Sequence, residues 1–244
     1  MTQAQLDAER CGLIPEENPP EFVAQHLSAY AFMKTRVARK KVLEVGFGDG
    51  YGSAYLAETA EEVVGVDLVS GNIPRARAKY PRSNLSFQPF DGLHLPFPDG
   101  TFDAAGSFQV IEHIPEPQII PWLAEIKRVL KPGGQLFVST LNLDHNRKPG
   151  RPYEKLIYHE KEFTAPELES TLRAVFEKTT LYGVQPTLKH RLFRRLKRWG
   201  LRKTLPPPVN FVERYFQRMT VHDFVTTRSN VLQSIDLIAL CQKP

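Results

Sequence analysis

Val42-Leu43-Glu44-Val45-Gly46-Phe47-Gly48-Asp49-Gly50-Tyr51-Gly52-Ser53 is the stretch from which the fold is read. An apolar strand closes on an acidic residue, and glycine then stands at every second position before a helix begins. Glycine has no Cβ, so its backbone takes positive φ and a ligand can rest directly on it. The same turn aims the unpaired N–H groups and partial positive charge of a helix N-terminus at that ligand. A small, partly anionic group is therefore expected against bare main chain. The plain alternative is a tight strand–helix turn that binds nothing.

Spacing narrows the ligand. A dinucleotide turn, G-x-G-x-x-G, fails in both registers, because its third glycine would fall on Tyr51 or Ser53. A phosphate-cradling P-loop needs Gly-Lys-Ser/Thr, and no lysine stands between Lys41 and Lys79. E-x-G-x-G-x-G remains. A second strand, Glu61–Leu68, carries Val63-Val64-Gly65-Val66 and closes on Asp67. That acid lies about 20 residues past the turn, where a carboxylate can accept both hydroxyls of a ribose. An ordinary strand-end turn residue is the other reading of Asp67.

Three more stretches follow in order: Asp91-Gly92-Leu93 after the short strand Leu85-Ser86-Phe87, then Leu95 to Asp103, then Leu130-Lys131-Pro132-Gly133-Gly134. With the glycine turn they resemble the motifs of class I S-adenosylmethionine-dependent methyltransferases. The likeness covers about residues 20–185 well and the C-terminal strands more loosely. It is nearest to type-11-like bacterial enzymes encoded with surface-polysaccharide and glycolipid genes, which Glu21–Tyr30, Ile111-Glu112-His113-Ile114 and Tyr158–Phe163 also resemble. The resemblance implies an α/β fold: a Rossmann-like, doubly wound, seven-stranded sheet, mostly parallel with an antiparallel last strand and helices on both faces. It implies S-adenosyl-L-methionine as cofactor, held by Glu44, Gly46, Phe47, Gly48, Gly50, Asp67, Leu68, Asp91, Gly92, Leu93 and Gln109. Asp91 would contact the adenine amino group. Gln109 is a departure, since relatives commonly carry glutamate there. No metal ligand is therefore assigned, and a non-catalytic adenosylmethionine-binding protein stays open as an alternative.

Strands at 41–45, 63–67, 85–88, 102–108 and 134–140 alternate with helices at 52–60, 72–80 and 116–130, a pattern that argues for a parallel sheet covered on both faces. A helix at 164–175 and strands at 176–184 and 234–242 would complete it. One domain, 1–244, is expected: a helical cap over 1–40, a cofactor-binding core over 41–142, a lid loop over 143–163 and a basic amphipathic insertion over 186–210. Asn18-Pro19-Pro20 reads as a helix start with Asn18 as cap. In that helix His26 and Tyr30 are expected to pack, with facing the substrate as the alternative. The lid is inferred from its length, because long loops are usually functional and ligands of open α/β sheets bind beyond the strands' carboxyl ends.

The 244 residues, 41% of them hydrophobic, suffice for one well-filled α/β domain. No run of 18 apolar residues occurs, and Met1–Arg10 lacks the apolar core of a secretion signal. Cys11 and Cys241 stand at opposite ends with no metal-ligand spacing, so a reduced, cytoplasmic protein is expected. The formal charge of +5 is local: Lys189, Arg191, Arg194, Arg195, Lys197, Arg198, Arg202 and Lys203 lie in a span without an acidic residue. Leu188, Leu192, Leu196 and Trp199 recur there at helical spacing, with Phe193 on the flank. Such a helix suits an anionic membrane surface, so peripheral contact with the inner membrane through 188–203 is expected. Nucleic acid would attract the same charges, but phosphate contacts do not need the apolar stripe. A helix docked on the fold, or an oligomer contact, is the third reading.

The sulfonium of adenosylmethionine activates its own methyl group, so the protein's task is alignment and exclusion of water. An oxygen nucleophile also needs a base, which an imidazole of pKa ~6.5 supplies. His113, after the fourth strand, is the first candidate and His159, in the lid, the second. Glu112 reads as a solvated loop carboxylate, with orienting an imidazole or binding a divalent ion as its alternatives. No Asn/Asp-Pro-Pro-aromatic motif follows the fourth strand, which tilts the reaction away from amino groups. O-methylation of a sugar, glycolipid or other small molecule is the expected function, with quinone and RNA methylation as alternatives.

Overall fold

A computed structural model describes residues 12–147, 150, 152–204, 206 and 209–244. Cys11, the Met1–Arg10 segment and parts of the lid and of the insertion lie outside the described residues. The elements are α1 (Pro20–Lys34), β1 (Lys41–Val45), α2 (Tyr51–Ala57), β2 (Glu62–Asp67), α3 (Asn72–Lys79), β3 (Leu85–Pro89), β4 (Phe102–Phe108), α4 (Glu116–Val129), β5 (Leu130–Leu141), α5 (Leu143–Asn146), α6 (Ala165–Arg173), β6 (Lys178–Pro186), α7 (Leu188–Arg198), α8 (Leu201–Thr204), α9 (Phe211–Gln217), β7 (Phe224–Thr227) and β8 (Asp236–Gln242).

One sheet organises them, in the order β3-β2-β1-β4-β5-β8-β6-β7. Its first five strands are parallel, and β8 enters antiparallel between β5 and β6. Eight strands stand where seven were expected. The extra one, β7, pairs antiparallel outside β6; four residues of mixed polarity gave no readable alternation. The central strands are largely apolar because helices cover both faces. Leu43, Val45, Val64 and Val66 pack with α4 and α6 on one face, while Val42, Val63 and Ala104 pack with α1 and α9 on the other.

Two boundaries differ from expectation for local reasons. Asn18 does not cap α1: its amide donates back to Ile14 O at 3.0 Å, and Pro19 occupies the cap position. α4 stops at Val129, and Leu130 already pairs with Phe102, so the Leu130–Gly134 motif is an irregular beginning of β5.

The lid base is fastened to the sheet. Asn142 Nδ2 donates to Ser234 O at 2.8 Å and Leu232 O at 3.1 Å, and Leu143 N donates to Phe163 O at 3.0 Å. In the insertion the expected apolar stripe is split. Phe193 stacks on Tyr215 with ring centroids 3.9 Å apart, and Leu196 packs on the core beside it. Leu188, Leu192 and Trp199 are exposed. Glu21 of α1 holds α7 through His190 Nε2 at 3.4 Å and Lys197 Nζ at 3.1 Å.

Candidate cofactor and methyl-transfer site

The glycine turn leaves β1 at the middle of the sheet, where the strand order reverses. Gly46, Gly48 and Gly50 all have positive φ, at 82°, 58° and 94°. A Cβ on Gly46 would come within 2.6 Å of Val110 Cγ2, so the loop after β4 closes directly over the turn. Here glycine serves packing as well as conformation.

Asp67, at the end of β2, is turned onto this loop. Its Oδ2 accepts the Gly48 N–H at 2.8 Å, and its Oδ1 accepts from Val69 N at 2.8 Å and Asn72 Nδ2 at 3.3 Å. Burial nevertheless raises its pKa above the usual aspartate value. Leu68 beside it is exposed, and its Cδ1 lies 3.8 Å from the space above Gly92. Leu68 and the Asp91-Gly92-Leu93 turn thus stand beside one another past the ends of β2 and β3. The Asp91 carboxylate accepts the N–H groups of His94 and Leu93 at 2.7 and 2.8 Å, which hold its pKa below the usual range.

Two residues assigned to the cofactor lie beneath the turn. Glu44 is fully covered, accepting the Tyr30 hydroxyl at 2.7 Å and the Ser53 hydroxyl, and burial pushes its pKa up to about 7. The Phe47 ring packs on Phe87, 4.6 Å between centroids. Glu44 and Phe47 therefore shape the loop from below. His26 and Tyr30 pack as expected: Tyr30 is buried against Phe108 at 4.2 Å, and His26 Nδ1 bonds the Tyr51 hydroxyl. Burial lowers the His26 pKa to about 4. Asp49, within the motif, was missed by sequence reasoning; it accepts from Lys79 and Tyr80 and anchors α3 to the turn.

Beyond β4 the chain passes through Gln109, whose φ of 55° is uncommon for a residue with a side chain, into a tight turn at Ile111–His113. This turn carries His113, and the lid brings His159 against it. His113 Nδ1 donates to Tyr158 O at 3.0 Å, and the rings of His113 and His159 stand edge to face with centroids 4.9 Å apart. His159 is buried, with its Nδ1 donating to Glu162 Oε1 at 2.7 Å. The lid is latched here: Glu112 O accepts from Glu160 N at 2.7 Å and Lys161 N at 3.1 Å. Surrounding protein lowers the His113 pKa below the ordinary imidazole value, with His159 contributing.

Glu112 corrects the sequence reading. Its side chain is 1% exposed, not solvated, and burial pushes its pKa up to about 8. A loop glutamate has no sequence mark of burial, because the covering residues come from the lid, nearly fifty positions later. A cavity of about 640 Å³, lined by Phe32, Tyr55 and His222 among others, shares no residue with the glycine turn or the histidine pair. The motifs locate the site; cavity size does not.

Known proteins agree with this architecture. Residues 43–138 match a family profile described as a methyltransferase domain. A Mycolicibacterium smegmatis protein named "Probable S-adenosylmethionine-dependent methyltransferase" is 36% identical over 172 residues, covering 70% of this chain and 64% of the relative. A fatty-acid O-methyltransferase of the same organism is 35% identical over 137 residues, 51% of this chain and 49% of its own. The chain spans between about half and two thirds of the length of the first curated relatives it matches. Among solved structures, the Burkholderia thailandensis 1,6-didemethyltoxoflavin-N1-methyltransferase, with bound S-adenosylhomocysteine, superposes with a TM-score of 0.58 at 22% identity, covering 90% of this chain and 78% of that one. Residues 43–138 are thus similar to a methyltransferase domain, and the chain shares the fold of solved S-adenosylmethionine-dependent methyltransferases.

Proposed function

We propose that this protein transfers a methyl group from S-adenosylmethionine to an oxygen of a lipid-like or glycolipid acceptor. The observation that carries the reading is the contact of the glycine turn with the loop bearing His113, through Gly46 and Val110. It brings a cofactor cradle and a proton acceptor to one cleft. Gly46, Gly48 and Gly50 would hold the methionine half, Asp67 the ribose hydroxyls, Asp91 the adenine amino group, and Leu68, Gly92 and Leu93 the base. Gln109 lines the passage between the two halves, while Glu44 and Phe47 support the cradle. When bound, the cofactor supplies an electrophilic methyl carried by a sulfonium.

His113 is the first-choice base. Its Nδ1–H is committed to a carbonyl, so the neutral ring keeps Nε2 as a proton acceptor. Its lowered pKa keeps that ring neutral at physiological pH. His159, held by Glu162 in the same tautomer, is the second choice. The lid, latched over the cleft, excludes water from the transfer.

A lipid-like acceptor is favoured by two exposed apolar groups: Leu156 and Ile157 at the lid, and Leu188, Leu192 and Trp199 on α7 beside its arginines. The fatty-acid O-methyltransferase relative is consistent with such an acceptor. No helix among the described residues is long and apolar enough to cross a membrane. Contact would therefore be peripheral, through 188–203, at the cytoplasmic face. Methyl-labelled S-adenosylmethionine added to cell extract with the purified protein tests the reading. Label in the organic-solvent fraction is expected; label confined to RNA, or none above the Asp67→Ala control, would refute it.

A further inference from the structure

Outside the cofactor cradle, one group of side chains has the composition of a metal centre. Glu112, His113 and His159 each offer a donor atom, and those atoms lie within 4.8 Å of one another; no other such group occurs among the described residues. Two donors about a tetrahedral zinc ion stand roughly 3.3 Å apart. Small side-chain rotations therefore suffice to close the set.

The surroundings are arranged for ligation. Ligating imidazoles donate their other N–H to a carboxylate or a carbonyl, which fixes the tautomer and aims the remaining lone pair. Both rings satisfy this: His113 Nδ1 is bonded to Tyr158 O and His159 Nδ1 to Glu162 Oε1. Both Nε2 atoms are thereby left as electron-pair donors. Glu112 Oε2 is buried without a hydrogen bond, as is the neighbouring Thr140 Oγ1. A buried carboxylate oxygen of this kind is costly unless a cation or donor meets it. Asp236 and Glu162 add negative potential around it, and Gln25 Nε2 donates to Asp236 Oδ2 at 2.8 Å.

We propose that Glu112 Oε2, His113 Nε2 and His159 Nε2 bind one divalent transition-metal ion of the zinc type. Two imidazoles and one carboxylate with further positions open form the donor set of catalytic zinc, and methyl transfer needs no redox change at the metal. The inference rests on the O-methylation reading and deepens it. The acceptor hydroxyl coordinates the ion, which lowers its pKa toward neutrality. Its O–H bond breaks and the proton leaves to solvent. The oxygen then forms the O–CH₃ bond as the S–CH₃ bond breaks, and that electron pair stays on sulfur, giving a neutral thioether. With the ion present the two histidines are ligands, and the ion replaces the imidazole as the group that activates oxygen.

Chelator-treated full-length protein titrated with Zn²⁺ by calorimetry, and with Co²⁺ by visible absorption, tests this. One ion per chain is expected, with a Co²⁺ band showing nitrogen and oxygen ligation. His159→Ala should weaken binding by about a hundredfold, and Glu162→Gln, which keeps all three donors, by about tenfold to a hundredfold. Circular dichroism and S-adenosylhomocysteine affinity, unchanged in both variants, exclude misfolding. Zn²⁺ binding that is absent, or equal in wild type and His159→Ala, would overturn the proposal. Loss of the cofactor reading would show differently, as intact metal binding in a protein with no affinity for S-adenosylhomocysteine.

Discussion

Tyr30 of α1 lies so close over Gly52 of α2 that a Cβ on the glycine would stand 2.1 Å from its ring. Gly52 is thus the seat on which the N-terminal helix rests, and Tyr30 reaches through to Glu44 beneath the cofactor turn. Alanine in place of a helical glycine ordinarily stabilises by ~1 kcal/mol. Here overpacking costs about 1–3 kcal/mol and reverses the sign. Gly52→Ala should therefore lower the melting temperature, and Tyr30→Ala in the same chain should remove most of the difference. A Gly52→Ala protein as stable as the parent would contradict the packing described.

Asp67 ties Gly48 and Val69 into one frame beside Leu68. Asp67→Ala removes both the proposed ribose acceptor and the brace on the turn. Charge-assisted bonds of this sort are worth about 1.5–3 kcal/mol. Affinity for S-adenosylhomocysteine should fall at least tenfold in calorimetry, with the fold retained by circular dichroism. Unchanged affinity would remove Asp67 from the site.

Glu44 makes a prediction about pH. Burial raises its folded-state pKa from 4.5 to about 7. A group raised on folding gives stability that is full below the unfolded value and is lost as pH climbs through the folded one. Wild type should therefore weaken between about pH 4.5 and 7 relative to Glu44→Gln, whose amide cannot ionise. The difference is on the order of 3 kcal/mol at full ionisation. Melting curves of both proteins from pH 5 to 8 measure it. A gap that stays constant over that range would show that Glu44 titrates normally.

The outward side of α7 combines Leu188, Leu192 and Trp199 with arginines, while Glu21 holds its inward side. Arg194, Arg195 and Arg198 changed together to Glu should abolish retention on anionic vesicles at low salt. Each basic residue contributes about 1 kcal/mol near such a surface, so the triple change costs several. High salt should release the wild type in the same way. Retention equal in wild type and variant would leave α7 as a covering helix only.

The sheet and the cofactor cradle were legible in the sequence for physical reasons. Apolar runs such as Val42–Val45 and Val63–Val66 mark strands buried on both faces, and alternating glycines mark a turn whose backbone geometry few residues tolerate. The expectation at Asp67 follows from its place at the end of a strand, and those at Leu68 and Asp91 from the family resemblance; Leu68 lies beside Gly92. What remained hidden depends on contacts between distant segments. Nothing near Glu112 announces its burial, since the lid at 158–161 supplies the cover. Phe193 and Leu196 share a helical period with Leu192 and Trp199, yet only docking on Tyr215 separates inward from outward positions. β7 is too short to announce itself and exists because β6 offers an edge to pair with.

The fastening of the lid to the carbonyl of Glu112 uses only main-chain atoms of residues 160 and 161. Side-chain replacements therefore leave the stitch intact. Between this stitch and the anchor at Asn142, side chains other than His159 can change without unseating the ends of the loop. On the proposed reading, acceptor preference can drift through those side chains while His113, His159 and the glycine turn keep their places.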